Sequence, residues 1–192
     1  MVAVGFHYST GGNKNGSGDF IEKLNAVGIP VMMKGVGDAG LCFEAQQKGI
    51  AHGVDNVLVY RATNNSVYQY DTPDYTLPPA EAALKHWNAT VAVWPPELDK
   101  AKVWMEPINE PRKQDAPDEV NPTWNGMNTT EWLGLFMVEY AKLANPAGYK
   151  VTGPSFATGE PGLPGEEVSI WEQPGMLDRK STRLNSSHVS QS

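Results

Sequence analysis

The densest group of residues able to do chemistry is Lys102-Val-Trp-Met-Glu-Pro-Ile-Asn-Glu-Pro-Arg112. It holds two carboxylates, Glu106 and Glu110, an amide, Asn109, directly before the second, and the apolar residues Trp104, Met105 and Ile108. A carboxylic acid donates a proton near neutral pH only where apolar or anionic surroundings keep it protonated. Glu110 has Trp104, Met105 and Ile108 nearby in sequence as apolar surroundings of that kind. In an extended segment, residues four apart share a face, so Glu106 is expected on the face of Glu110. Metal chemistry has no comparable group: His52 and His86 lack partners at ligand spacing, and no Cys/His cluster points to zinc. Cys42, the single cysteine, reads as a small buried hydrophobe.

The elements that must position these residues follow a repeated strand-then-helix rhythm. Apolar strand runs are expected at Val2–Tyr8, Ile29–Met33, Asn56–Arg61, Lys102–Ile108 and Tyr149–Gly153. Between them, helical patterns cover Asp19–Val27, capped by Asp19 and closed by Gly28, and Gly40–His52, stopped by Gly53. Two more cover Pro78 to about Val93 and Thr130–Ala144, the last starting from Thr129 or Thr130. Nearly continuous apolar strands alternating with amphipathic helices indicate a parallel sheet covered by helices. The fold class is α/β, at the pace of an incomplete (β/α)₈ barrel with about five βα units. A doubly wound open sheet competes. Its phosphate-binding turn is missing, because Thr10-Gly-Gly-Asn-Lys-Asn-Gly-Ser-Gly18 has neither GxGxxG spacing nor a Lys-Ser/Thr closure. That loop reads as a flexible surface segment. Pro107 is an anomaly in a central strand, since it cannot donate to the ladder, and it moves the expected end of the ladder toward Glu106.

Asn109-Glu110-Pro111 at the end of the fourth strand resembles the acid/base signature of the large clan of retaining glycoside hydrolases built on (β/α)₈ barrels. The resemblance implies that Glu110 is the general acid/base and that Asn109 bonds the sugar hydroxyl next to the reacting carbon. It also implies a nucleophilic carboxylate from a seventh strand, about 5–5.5 Å from the acid, for which no residue can be named in this chain. By the same resemblance Glu106 is an internal, structural charge, and buried charges are rarely left unpaired, so Arg61 or Lys34 is its expected partner. Barrel active sites lie at the carboxyl ends of the strands. That nominates His7 and Arg61 for substrate binding, with Tyr8, Lys34, Asp38 and Asn64 as lesser candidates and Ser155, Phe156 and Glu160 after the fifth strand. Flat rings stack on the C–H faces of sugars. Trp124, with Tyr68, Tyr70 and Tyr75, is therefore expected either to line the substrate side or to pin long loops. Trp87 and Trp132 are expected in the core, and Trp171-Glu172 in a packed surface turn. Neither a cofactor nor a metal is called for.

Composition sets the outer bounds. The chain has 192 residues, 15 Lys+Arg against 22 Asp+Glu, and a formal net charge of −7. An acidic chain is poorly suited to phosphate backbones or anionic membranes, and no run is apolar for the roughly 18 residues that a spanning helix needs. The expected partner is a carbohydrate, with neither nucleic acid nor membrane. No signal-peptide pattern opens the chain, and a cytoplasmic address follows only if Met1 is the true start. From Asp178 to His188 the sequence resembles, without a mismatch, the translation of a common short-read sequencing adapter. The expected organisation is thus a partial barrel domain over 1–177 and a non-native tail over 178–192. The function implied is a retaining glycoside hydrolase in its intact form, the fragment alone being inactive and self-associating through its open barrel edge. Two other readings stand beside it: a non-catalytic carbohydrate-binding or structural barrel, and a barrel enzyme of other chemistry.

Overall fold

The computed structural model describes residues 4–111 and 123–155. The expectations for Phe156, Glu160, Trp171-Glu172 and the 178–192 tail lie outside those residues. Strands β1 (Val4–Ser9), β2 (Val31–Val36), β3 (Val57–Arg61), β4 (Val103–Met105) and β5 (Lys150–Val151) alternate with helices α1 (Ser17–Ala26), α2 (Gly40–His52), α3 (Pro79–Ala92) and α4 (Thr129–Ala144). All pairings are parallel and the spatial order is β1-β2-β3-β4-β5. The order never reverses among the described residues, so no crevice of the doubly wound kind lies among them.

Strand alternation assigns the two faces of the sheet. Register places Met33 beside Leu58, Leu58 beside Val103, Tyr60 beside Met105 and Met105 beside Val151 on one face. These side chains are buried against Ile21 of α1, Leu41, Cys42 and Ala45 of α2, Ala82 and Ala83 of α3, and Trp132, Phe136 and Tyr140 of α4. All four helices therefore cover the same face, and burying it supplies the main drive for folding. The other face carries His7, Lys34, Val59 and Trp104, in register across four strands.

Several boundaries differ from expectation for local reasons. Helix α1 starts two residues early, after Gly16 at φ 77°, so Asp19 lies in its first turn and is not the cap. Both α1 and α2 close as expected on a glycine in the left-handed region, Gly28 and Gly53. At α1 the amide of Gly28 bonds the carbonyl of Asn25 and that of Ile29 bonds Leu24, at 3.0 and 2.9 Å, the paired closure that such a glycine permits. Helix α4 is capped by Asn128, not by Thr129 or Thr130: its side chain accepts from the amides of Thr130 and Glu131 at 2.9 and 3.3 Å. The largest change is in β4, which ends at Met105 instead of Ile108. Pro107 cannot extend the ladder, and pairing resumes only as an isolated bridge between Asn109 and Ser155.

Candidate functional site

The carboxyl ends of β2, β3, β4 and β5 converge on one carboxylate. Glu106 follows β4, and its amide bonds the carbonyl of Tyr60 at 3.0 Å, which carries its side chain onto the face opposite the helices, level with Arg61. Lys34 reaches it from β2 at 2.7 Å and Arg61 from β3 at 3.0 Å. Glu106 is 3% exposed and Arg61 8%, so both ends of the second pair are out of water. Lys34 also donates to the hydroxyl of Ser155 at 2.7 Å, and Arg61 to the side-chain oxygen of Asn109. The expected pairing of Glu106 with Arg61 or Lys34 is thus realised with both.

Asn109 and Glu110 are set by the strand break. The amide of Asn109 bonds the carbonyl of Asp71 at 3.0 Å and that of Glu110 the carbonyl of Ser155 at 2.6 Å. Glu110 sits at φ 45°, in the left-handed region that a non-glycine residue enters at a cost of about 1–2 kcal/mol. The shared face expected for Glu106 and Glu110 is therefore lost, because the alternation is interrupted at Pro107 and turned again at Glu110: Glu106 is buried and Glu110 exposed. The expected apolar surroundings are absent as well, since Met105 and Ile108 point into the helix-side core. Among the described residues the Glu110 carboxylate has no hydrogen-bond or ion-pair partner.

Arg61 shows a second irregularity. Its Nε is buried without an acceptor among the described residues, at a cost of about 1–3 kcal/mol.

The other nominated residues divide. His7 pairs in register with Lys34 and reaches solvent at the cluster's edge. The dry sheet beside it, then the cations of Lys34 and Arg61, hold its pKa below 6.5 against the pull of Glu106, so its ring faces the cluster neutral at pH 7. Tyr8 is buried and its hydroxyl accepts the amide of Cys42 at 2.8 Å, a structural role. Asp38 is held by Lys14 from the Gly-rich loop and accepts the amide of Gly40; these two bonds keep its carboxyl below the usual range. Asn64 is exposed. Trp124 departs from the substrate-side expectation: it packs half-buried against the core between α3 and α4, and its amide donates to the carbonyl of Tyr75 at 2.8 Å. Tyr75 and Tyr70 are buried, Tyr75 against Trp132 at 4.5 Å between ring centres. Tyr70 and Tyr75 pin loops, since rings this deep have no face left for a sugar. Trp132 is buried and Trp87 partly buried in the core, as expected.

One residue with a place at the site escaped the sequence reading. His86 on α3 is buried, with Nε2 at 2.8 Å from the carbonyl oxygen of Pro107 and Nδ1 at 3.0 Å from the Tyr68 hydroxyl. The available signal was a lone histidine on the apolar face of a helix, which has no partner visible in sequence. Among the described residues no group of three or more His, Cys, Asp or Glu could hold a metal ion, and no helix is long and apolar enough to cross a membrane. Compared with known protein families, curated proteins and solved structures, the chain matches none.

Proposed function

We propose that this chain carries the first five βα units of a (β/α)₈ retaining glycoside hydrolase, with Glu110 as general acid/base. The observation that carries the reading is the placement of Asn109-Glu110 at the carboxyl end of the fourth strand of a singly wound parallel sheet, where barrel enzymes build their sites. Asn109 is oriented by Arg61 for the hydroxyl beside the reacting carbon, and Glu110 is exposed next to it. Glu106, held by two cations, is structural and unavailable as the second carboxylate. That nucleophile, about 5–5.5 Å from the acid in a retaining enzyme, comes from a later strand. In the reaction Glu110 gives its proton to the leaving oxygen as the nucleophile attacks the anomeric carbon, then takes a proton from the water that releases the sugar.

The test is to read the source gene beyond codon 177, produce the uninterrupted protein and compare it with its Glu110→Gln variant on oligosaccharides. The variant is expected to bind substrate but to lose about 10²–10⁴-fold in turnover. Near-normal turnover removes Glu110 from the chemistry. Binding without turnover in both proteins favours a non-catalytic carbohydrate-binding barrel.

A further inference from the structure

We infer that His86 is a positioning residue of this site: as a neutral ring protonated at Nε2, it holds the Pro107 carbonyl and so sets the path of the chain into Asn109 and Glu110. Its functional consequence rests on the reading of Glu110 given above, but its geometry does not. The Pro107 carbonyl can only accept, so the hydrogen of the 2.8 Å contact is on Nε2. In the neutral ring Nδ1 is then an acceptor, and the Tyr68 hydroxyl at 3.0 Å is its donor. Glu106 is tied through its amide to Tyr60, and Asn109 through its amide to Asp71. Between them Pro107 has no N–H to offer, and His86 is the group that secures it. The same ring joins the β3–α3 loop, through Tyr68, to the broken end of β4.

The surroundings keep the ring neutral. Phe136 and Tyr140 of α4 pack against it at 5.8 and 5.9 Å between centres, and Tyr68 of the loop at 5.7 Å. The titratable groups facing it are Tyr68, Tyr140 and, at longer range, Asp71. Burial lowers its pKa below 6.5, outweighing the backbone of Pro107 and Tyr70 and the charge of Asp71, which raise it. A folded pKa below the unfolded one means that the unfolded chain takes up the proton first. As pH falls through the folded pKa the proton goes to Nδ1: the Nε2–H bond to Pro107 remains, the acceptor for the Tyr68 hydroxyl is lost, and a charge appears in the buried ring. The stability this ring contributes is therefore complete above about pH 6.5 and is lost as pH falls through the folded pKa.

Long-range ¹⁵N–¹H spectra of the 192-residue chain test this directly. The expected result is a bare Nδ1 and a protonated Nε2 on His86, persisting below pH 6.5, with the Asn109 and Glu110 amides shifting at the same midpoint as His86. A hydrogen on Nδ1, or amides that titrate independently of His86, would overturn the inference. Two variants separate anchoring from packing: in His86→Gln the amide reaches where Nε2 lay, whereas in His86→Asn it reaches only the Nδ1 position. The Asn109 and Glu110 resonances should stay in place in the first and move in the second. Equal effects of the two would also overturn it. If neither variant folds, the wild-type spectra still decide. None of these readouts needs activity, so failure here leaves the glycosidase reading standing, and failure of that reading leaves the anchor. Where both hold, His86→Asn in the uninterrupted enzyme lowers kcat about tenfold or more with KM little changed, the usual result of a misplaced acid.

Discussion

Glu106 holds the polar cluster together. Its side chain is 2% exposed and lies between an ammonium at 2.7 Å and a guanidinium at 3.0 Å. Removing one partner of a buried ion pair leaves an uncompensated charge, at a cost of about 3–5 kcal/mol. Glu106→Gln, which strands Arg61, is expected to destabilise the chain by that amount in urea unfolding. Lys85→Ala, which breaks the exposed pair with Asp74, should cost under about 1 kcal/mol. Equal effects would mean that the cluster is solvated. The pairing of Glu106 was legible from strand alternation and the rarity of lone buried charges. The exposure of Glu110 was not, because it depends on a backbone turn to φ 45° that no residue type announces.

At the scale of elements, each helix is delimited by chemistry of one or two residues. Glycine in the left-handed region closes α1 and α2, and Asn128 caps α4. Asn128→Ala removes the acceptor of two amides and should cost about 1 kcal/mol, read as a lower thermal midpoint. An unchanged midpoint would show that water serves those amides as well. The closing glycines were readable in advance because only glycine takes that conformation freely. The start of α1 was not, since it follows Gly16 with no side-chain cap, nor was the cap of α4, since Asn and Thr both cap and Asn128, Thr129 and Thr130 competed for the position. The shortening of β4 was half legible: Pro107 forbids a ladder bond, but only His86, from another element, shows where the freed carbonyl goes.

For the molecule as a whole, the consequence lies at the edge of the sheet. The outer side of β1 pairs with no strand among the described residues, and Val4–Ser9 contains neither charge nor proline at neutral pH. Beside it Phe6 and Phe20 form an exposed edge-to-face pair, 42% and 39% accessible. Natural edges are blunted by charge, proline or cover, and an unprotected one recruits another strand. Sedimentation should show concentration-dependent association that Phe6→Lys suppresses. A monomer at every concentration would contradict it.

Hydrophobic periodicity, glycine and proline are local signals, and from them the sequence alone determined a parallel α/β sheet, the order of its elements and the place of Asn109-Glu110 after the fourth strand. The tertiary structure alone decided which side chains meet. Trp124 packs half-buried against a core assembled from α3, α4, β4 and β5. Arg61, Lys34, Asn109 and Ser155 came together because parallel pairing set β2 beside β3 and a bridge joined the chain beyond β4 to that beyond β5. His86 reached Pro107 across 21 positions of sequence. Contacts of this kind depend on how helices seat on the sheet, a property of all the packed side chains jointly, and no window of the sequence contains it.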